Sequence, residues 1–149
     1  MKKIITICLI GIFSIFLSFT TKIDKPNYEL LWSELKANDV KFPEIVFAQA
    51  VLESGHFKSF IFRTNNNLFG MRYPKVRETL ATGAKSGYAV FSDWQSSVKD
   101  YKLWQDRFIQ KRGIDTKAEY LTELDKVYSE SNGYSAKLKK IIKNFEYLL

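Results

Sequence analysis

The spacing of apolar residues predicts a mainly helical domain with one small β excursion. Leu138, Ile141, Ile142, Phe145 and Leu148 fall at i, i+3, i+4, i+7 and i+10, the stripe of a helix that buries one face. Two capping-box patterns, Ser92 with Gln95 and Thr116 with Glu119, open further apolar stripes. Only around Gly83 and Gly87 do short runs, Val76 to Ala81 and Tyr88 to Phe91, suggest a hairpin. With 149 residues, 46% of them hydrophobic, the chain has the length of one domain and enough apolar surface for its core.

Residues 1–21 read as a secretory leader and 22–149 as the domain. Lys2 and Lys3 form a positive start, Ile4 to Phe19 is almost wholly apolar, and Thr20-Thr21 is the polar exit. The apolar run is shorter than the roughly 20 residues of a spanning helix. It lacks a clean small-residue cleavage site, so an uncleaved anchor in the inner membrane is the second reading. The expected location is outside the cytoplasm, in the periplasm or envelope. The single cysteine, Cys8, lies inside this run with most of the run after it, which argues against a lipid anchor there. Next come a short linker with Pro26, a helix near 27–37, and a second helix opened by Pro43 and stopped by Gly55. After the hairpin, one helix carries Val98, Tyr101, Trp104, Phe108 and Ile109. Another carries Tyr120, Leu121, Leu124, Val127 and Tyr128, and the C-terminal helix closes the chain.

Composition excludes several chemistries. One Cys and one His cannot build a disulfide framework or a Cys/His zinc site. Neither phosphate-binding glycine motif is present, so no cofactor and no metal is expected. The net charge of +7 falls to +5 without Lys2 and Lys3 and suits an anionic partner. Its basic residues are scattered rather than interleaved with aromatics, which ranks nucleic acid last among such partners.

Glu53 ends the apolar segment Val46-Phe47-Ala48-Gln49-Ala50-Val51-Leu52. Burial raises a carboxyl pKa, and the C-terminal end of a helix dipole does the same, so such a glutamate keeps a proton for general acid catalysis. A polar residue at a solvent-exposed helix end is the alternative reading. His56 reads as a loop histidine, with no partner for a metal or a triad. Trp104 falls on a core stripe, whereas Trp94 sits at a helix start next to a loop and is the better placed ring for a substrate contact. Lys137, Lys139, Lys140 and Lys143 read as the solvated face of the last helix.

Four stretches stand in order between Phe42 and Ile142: Ala48-Gln49-Ala50-Val51-Leu52-Glu53-Ser54-Gly55 with Ser59, then Asn66-Asn67-Leu68-Phe69-Gly70-Met71-Arg72, then Phe91 to Trp94, then Tyr128 to Leu138. In that order they resemble the glucosaminidase family of peptidoglycan hydrolases, glycoside hydrolase family 73. The first matches the family's A-Q-x-x-x-E-S-G-x-x-x-S and the second its N-N-L-F-G-[IM]-[KR]. The last two follow further family stretches, with Ser131 in place of the family's aspartate. The resemblance implies a lysozyme-like fold, peptidoglycan glycan as substrate, cleavage after N-acetylglucosamine and Glu53 as the acid. It implies substrate contacts from Ser54, Asn67, Phe69 and Trp94, with Asn67 bracing the loop under the glutamate. A second acidic group is expected from the β-lobe. Glu78 is the only carboxylate between Gly70 and Phe91, although its context differs from the family's T-x-E. Water activation then falls to Glu78, or to the substrate's acetamido group helped by Tyr128 or Tyr134. A lytic transglycosylase, a muramidase or a non-catalytic wall-binding domain on the same fold are the alternatives.

Overall fold

The computed structural model describes residues 25–127 and 133–149. The leader, Cys8, Tyr128 and Ser131 lie outside the described residues. Helix α1 (Tyr28–Ala37) starts where the Asn27 side chain accepts the Leu30 N–H at 2.7 Å, and it buries Leu31 and Leu35 one turn apart. Helix α2 (Pro43–Glu53) buries every residue from Ile45 to Val51, so it is enclosed on all sides rather than along one stripe. It is the axis of the molecule, packed between α1 and the C-terminal helix.

After α2 the chain reverses through three consecutive left-handed residues, Gly55, His56 and Phe57. The buried Ser54 hydroxyl accepts the Phe57 N–H at 3.0 Å and holds this turn. A short helix, α3 (Phe60–Asn65), follows with Ser59 as its cap; its six residues are too few to show a period in the sequence. Strands β1 (Gly83–Lys85) and β2 (Tyr88–Val90) pair antiparallel about Ser86-Gly87. Both turn residues have positive φ, as a two-residue hairpin requires.

The expected strand over Val76 to Ala81 does not form. Val76 is 90% exposed, and the segment is a loop fastened by side-chain bonds instead of a ladder. The buried Asp100 carboxylate accepts Arg77 Nη1 and Nη2 at 3.1 and 2.6 Å, the Thr79 hydroxyl at 2.6 Å and the Leu80 N–H at 2.9 Å.

Helix α4 (Trp94–Arg112) begins one residue later than the capping pattern at Ser92 implies. Asp93 is the cap, accepting the Ser96 N–H at 2.6 Å, and the Ser92 hydroxyl hydrogen-bonds Asp93 instead. Gly113 ends the helix at φ 61°. Helix α5 (Lys117–Val127) opens with the expected reciprocal box: Glu119 N–H donates to the Thr116 hydroxyl at 3.2 Å and Thr116 N–H to Glu119 Oε2 at 2.9 Å. Helix α6 (Tyr134–Asn144) lies against α2 and α5. It stops before Phe145, which still packs 4.5 Å from the Tyr28 ring and 5.4 Å from Phe47. None of the helices among the described residues is long and apolar enough to cross a membrane.

Candidate active site

The last turn of α2 carries the buried run of that helix out to one wall of an open cleft, and Glu53 is the residue that emerges. Its partly buried Oε1 accepts the Tyr134 hydroxyl of α6 at 2.7 Å. Its Oε2 faces Gly70, where an added Cβ would stand 4.0 Å away; Gly70 itself has φ 60°, a conformation that favours glycine. One oxygen is thus fixed inside the protein and the other is turned to the loop at the cleft floor. Burial pushes the Glu53 carboxyl above the usual glutamate range, while the Tyr134 hydrogen bond and the charge of Lys137 pull it back part of the way.

The cleft is about 650 Å³ and is lined by Glu53, Phe69, Arg72, Arg77, Tyr88 and Trp104, among others. Among the described residues Glu53 is the only carboxylate in this lining; the other charges are the two arginines. Arg72 lies 4.0 Å over the Tyr88 ring, and Arg77 is held by Asp100, so both guanidinium groups are fixed by the fold. Phe69 stacks on Tyr101 at 4.1 Å and forms an apolar floor beside the acid. A protonated carboxyl next to aromatic and cationic walls can donate a proton to the bridging oxygen of a sugar chain.

The residues expected from the sequence fall into separate places. Glu53 and Phe69 line the cleft, and Tyr134 stands buried behind Glu53. Asn67 is buried beneath it: its Nδ2 donates to the Met71 and Ala89 carbonyls at 2.9 Å each, and its Oδ1 accepts the Met71 N–H at 3.0 Å. That is the bracing expected of it, with no face toward the cleft. Ser54 is likewise buried in the reverse turn. Trp94 is 3% exposed and lines a different groove, with Pro26, Phe57 and Phe62, whereas Trp104 lines the cleft. Trp94 is therefore a core residue away from the cleft, and Trp104, which packs on the core as expected, is the tryptophan that also reaches the cleft. Glu78 is exposed and borders a separate groove with Leu103 and Arg107. His56 is exposed, its Nδ1 2.9 Å from the Tyr28 hydroxyl. Lys137 is on the solvated face as expected, yet its charge reaches Glu53. Tyr128 lies outside the described residues.

Sequence reasoning passed over Arg72, Arg77 and Tyr88 as cleft residues, because the loop that carries the two arginines has no period and Tyr88 sits in a strand of only three residues. It also passed over Gln49. An amide in an otherwise apolar helix is a signal in itself, since a buried polar group needs partners.

A helical domain of lysozyme-like fold, with one partly buried acid at the side of an open cleft, is the class that fold and site define. The chain belongs to the mannosyl-glycoprotein endo-beta-N-acetylglucosaminidase family, whose model matches residues 29–147. It is 42% identical over 67 residues to Protein bax of Escherichia coli (strain K12), covering 45% of this chain and 24% of that protein. The chain thus spans about a quarter of that curated relative. Its fold is similar to the catalytic domain of the autolysin Auto from Listeria monocytogenes, with TM-score 0.55 and 18% identity over 84% of this chain and 88% of the other. It is also similar to a chain in a type VI secretion system effector–immunity complex from Pseudomonas protegens, with TM-score 0.58 and 22% identity over 81% and 92%.

Proposed function

We propose that this protein is a peptidoglycan hydrolase that cleaves the β-1,4 bond after N-acetylglucosamine, an endo-β-N-acetylglucosaminidase. The family and the autolysin fold support the substrate. The observation that carries the chemistry is Glu53 itself: raised by burial, fixed at Oε1 by Tyr134 and open to the cleft at Oε2. Glu53 protonates the leaving oxygen through Oε2. With one carboxylate in the cleft among the described residues, the substrate's own 2-acetamido group is the internal nucleophile, and water opens the resulting ring. Arg72 and Arg77 give the cleft a positive charge that suits a strand bearing carboxylates. The lysine start and apolar run of residues 4–19 export the domain to the envelope, where this substrate is.

The single acid also favours a second reading, a lytic transglycosylase, in which a hydroxyl of the substrate attacks in place of water. Mass spectrometry of fragments from purified peptidoglycan separates the two, since hydrolysis adds one water and internal transfer adds none. The sugar at the new chain end distinguishes a glucosaminidase from a muramidase. Glu53→Gln should lose at least ~10²-fold in rate, the scale of general acid catalysis, and Glu78→Gln much less. Full activity in Glu53→Gln removes this reading; equal losses restore a two-carboxylate scheme.

A further inference from the structure

Behind Glu53 runs a buried row of polar side chains that the proton transfer does not touch. Gln49, Tyr101, Gln105 and Tyr120 are each 0% exposed, and Tyr134 is 5% exposed. Gln49 Nε2 donates to the Tyr134 oxygen at 3.4 Å, and the Tyr101 hydroxyl donates to Gln49 Oε1 at 2.6 Å. The Tyr101 and Tyr120 oxygens are 2.8 Å apart. A phenol has one proton, and that of Tyr101 is committed to Gln49, so Tyr120 is the donor between them. Gln105 Nε2 in turn donates to the Tyr120 oxygen at 3.0 Å.

Every bond in this row points the same way, toward Glu53. The direction has a fixed origin. The Lys41 N–H donates to Gln105 Oε1 at 2.9 Å, and Gln105 Nε2 donates to the Lys41 carbonyl at 2.7 Å. A peptide unit cannot exchange its donor and acceptor, so it fixes which way the Gln105 amide faces. That fixes Tyr120, then Tyr101, then the amide of Gln49. Burial, partly offset by these bonds, raises the Tyr120 hydroxyl to about 12, so Tyr120 keeps the proton it donates at neutral pH.

Resting on the reading of Glu53 as the acid, we propose that Gln105, Tyr120, Tyr101 and Gln49 are positioning residues: a one-directional row of donors that commits the Tyr134 proton to Glu53 Oε1 and so leaves the acid proton on Oε2. Donors in series polarise one another, which strengthens the last bond. Without the Tyr101 hydroxyl, Gln49 Oε1 has no donor among the described residues. The amide turns, accepts the Tyr134 proton itself, and Glu53 Oε1 loses its donor.

The test is Tyr101→Phe in the full chain, which keeps the ring stacked on Phe69 and removes only the hydroxyl. The Glu53 carboxyl carbon is titrated by NMR, and kcat and KM are measured on soluble glycan from purified peptidoglycan. Two described side chains act on this carboxyl, Tyr134 and Lys137 from α6, and four more titratable or charged ones line the same cleft: Arg72, Tyr73 and Arg77 from the loop, and Tyr88 from β2. All six are unchanged in the variant. The Glu53 midpoint should rise, because the charged form loses a donor, and the basic limb of kcat should move up with it. The expected fall in kcat is about tenfold, with KM within twofold. In a Tyr134→Phe background, Tyr101→Phe should add no further rise, since the route is already cut. An unmoved midpoint, or an equal rise in both backgrounds, overturns the proposal. Tyr120→Phe gives a smaller shift of the same sign and serves if Tyr101→Phe does not fold. Wild-type protein that leaves the glycan intact would sink the functional reading alone, because the titration tests the row without any substrate.

Discussion

At the scale of single residues, the cost of Glu53 is set by where α2 ends. A carboxyl raised above its unfolded value binds its proton more tightly in the folded chain. Below the unfolded value both states are protonated and nothing is lost. As pH rises through the window between the two values, the folded state loses stability, and the loss is complete above the folded value. Glu53→Gln should therefore raise the melting temperature at pH 7, with the gain vanishing near pH 3; calorimetry at the two pH values checks it. The partial burial of Glu53 was legible in the sequence, because this carboxylate ends a continuous apolar run. Its partner was half legible: Tyr134 stood among the candidates, but only packing of α6 on α2 brings its hydroxyl to 2.7 Å. Which tryptophan stands at the cleft was not legible for a related reason. Both lie on α4, and which ring faces the cleft depends on where the 72–82 loop folds over that helix.

At the scale of elements, helices with a face to bury announced themselves and the loop lobe did not. Leu31 with Leu35, and Tyr120 with Leu124, occupy the stripes that their spacing implies. The start of α4 was misplaced by one residue because Ser92 and Asp93 are both good caps, and backbone geometry chooses between them. Asp93→Ala should cost about 1 kcal/mol of stability, and Ser92→Ala clearly less; denaturant midpoints for the two variants decide. Val76 to Ala81 has strand-like composition, yet Asp100 takes its Thr79 hydroxyl and Leu80 amide one by one. A side chain 20 residues away along the sequence outcompeted a neighbouring strand, and no local pattern encodes that.

For the whole molecule, we propose that residues 1–21 supply the address and the domain the chemistry. A phosphatase that is active only outside the cytoplasm, fused after Leu149, should be active; an intact, inactive fusion in the cytosol would refute export. Within the domain, one wall of the cleft is the hydrophobic helical body and the other is the thin 72–90 lobe. Asp100 is 0% exposed and Arg77 is 10% exposed at the side chain, so the ion pair joining the two walls is shielded from water. Asp100→Ala should cost roughly 3 kcal/mol by leaving Arg77 unpaired, and it should weaken glycan cleavage while Glu53 is intact. Melting curves and a cleavage assay on the same sample check both parts. The tether also supplies a clock. The Leu80 amide can trade its hydrogen for deuterium only when Asp100 releases it. Its exchange rate therefore counts how often the jaw opens while the body of the protein stays folded.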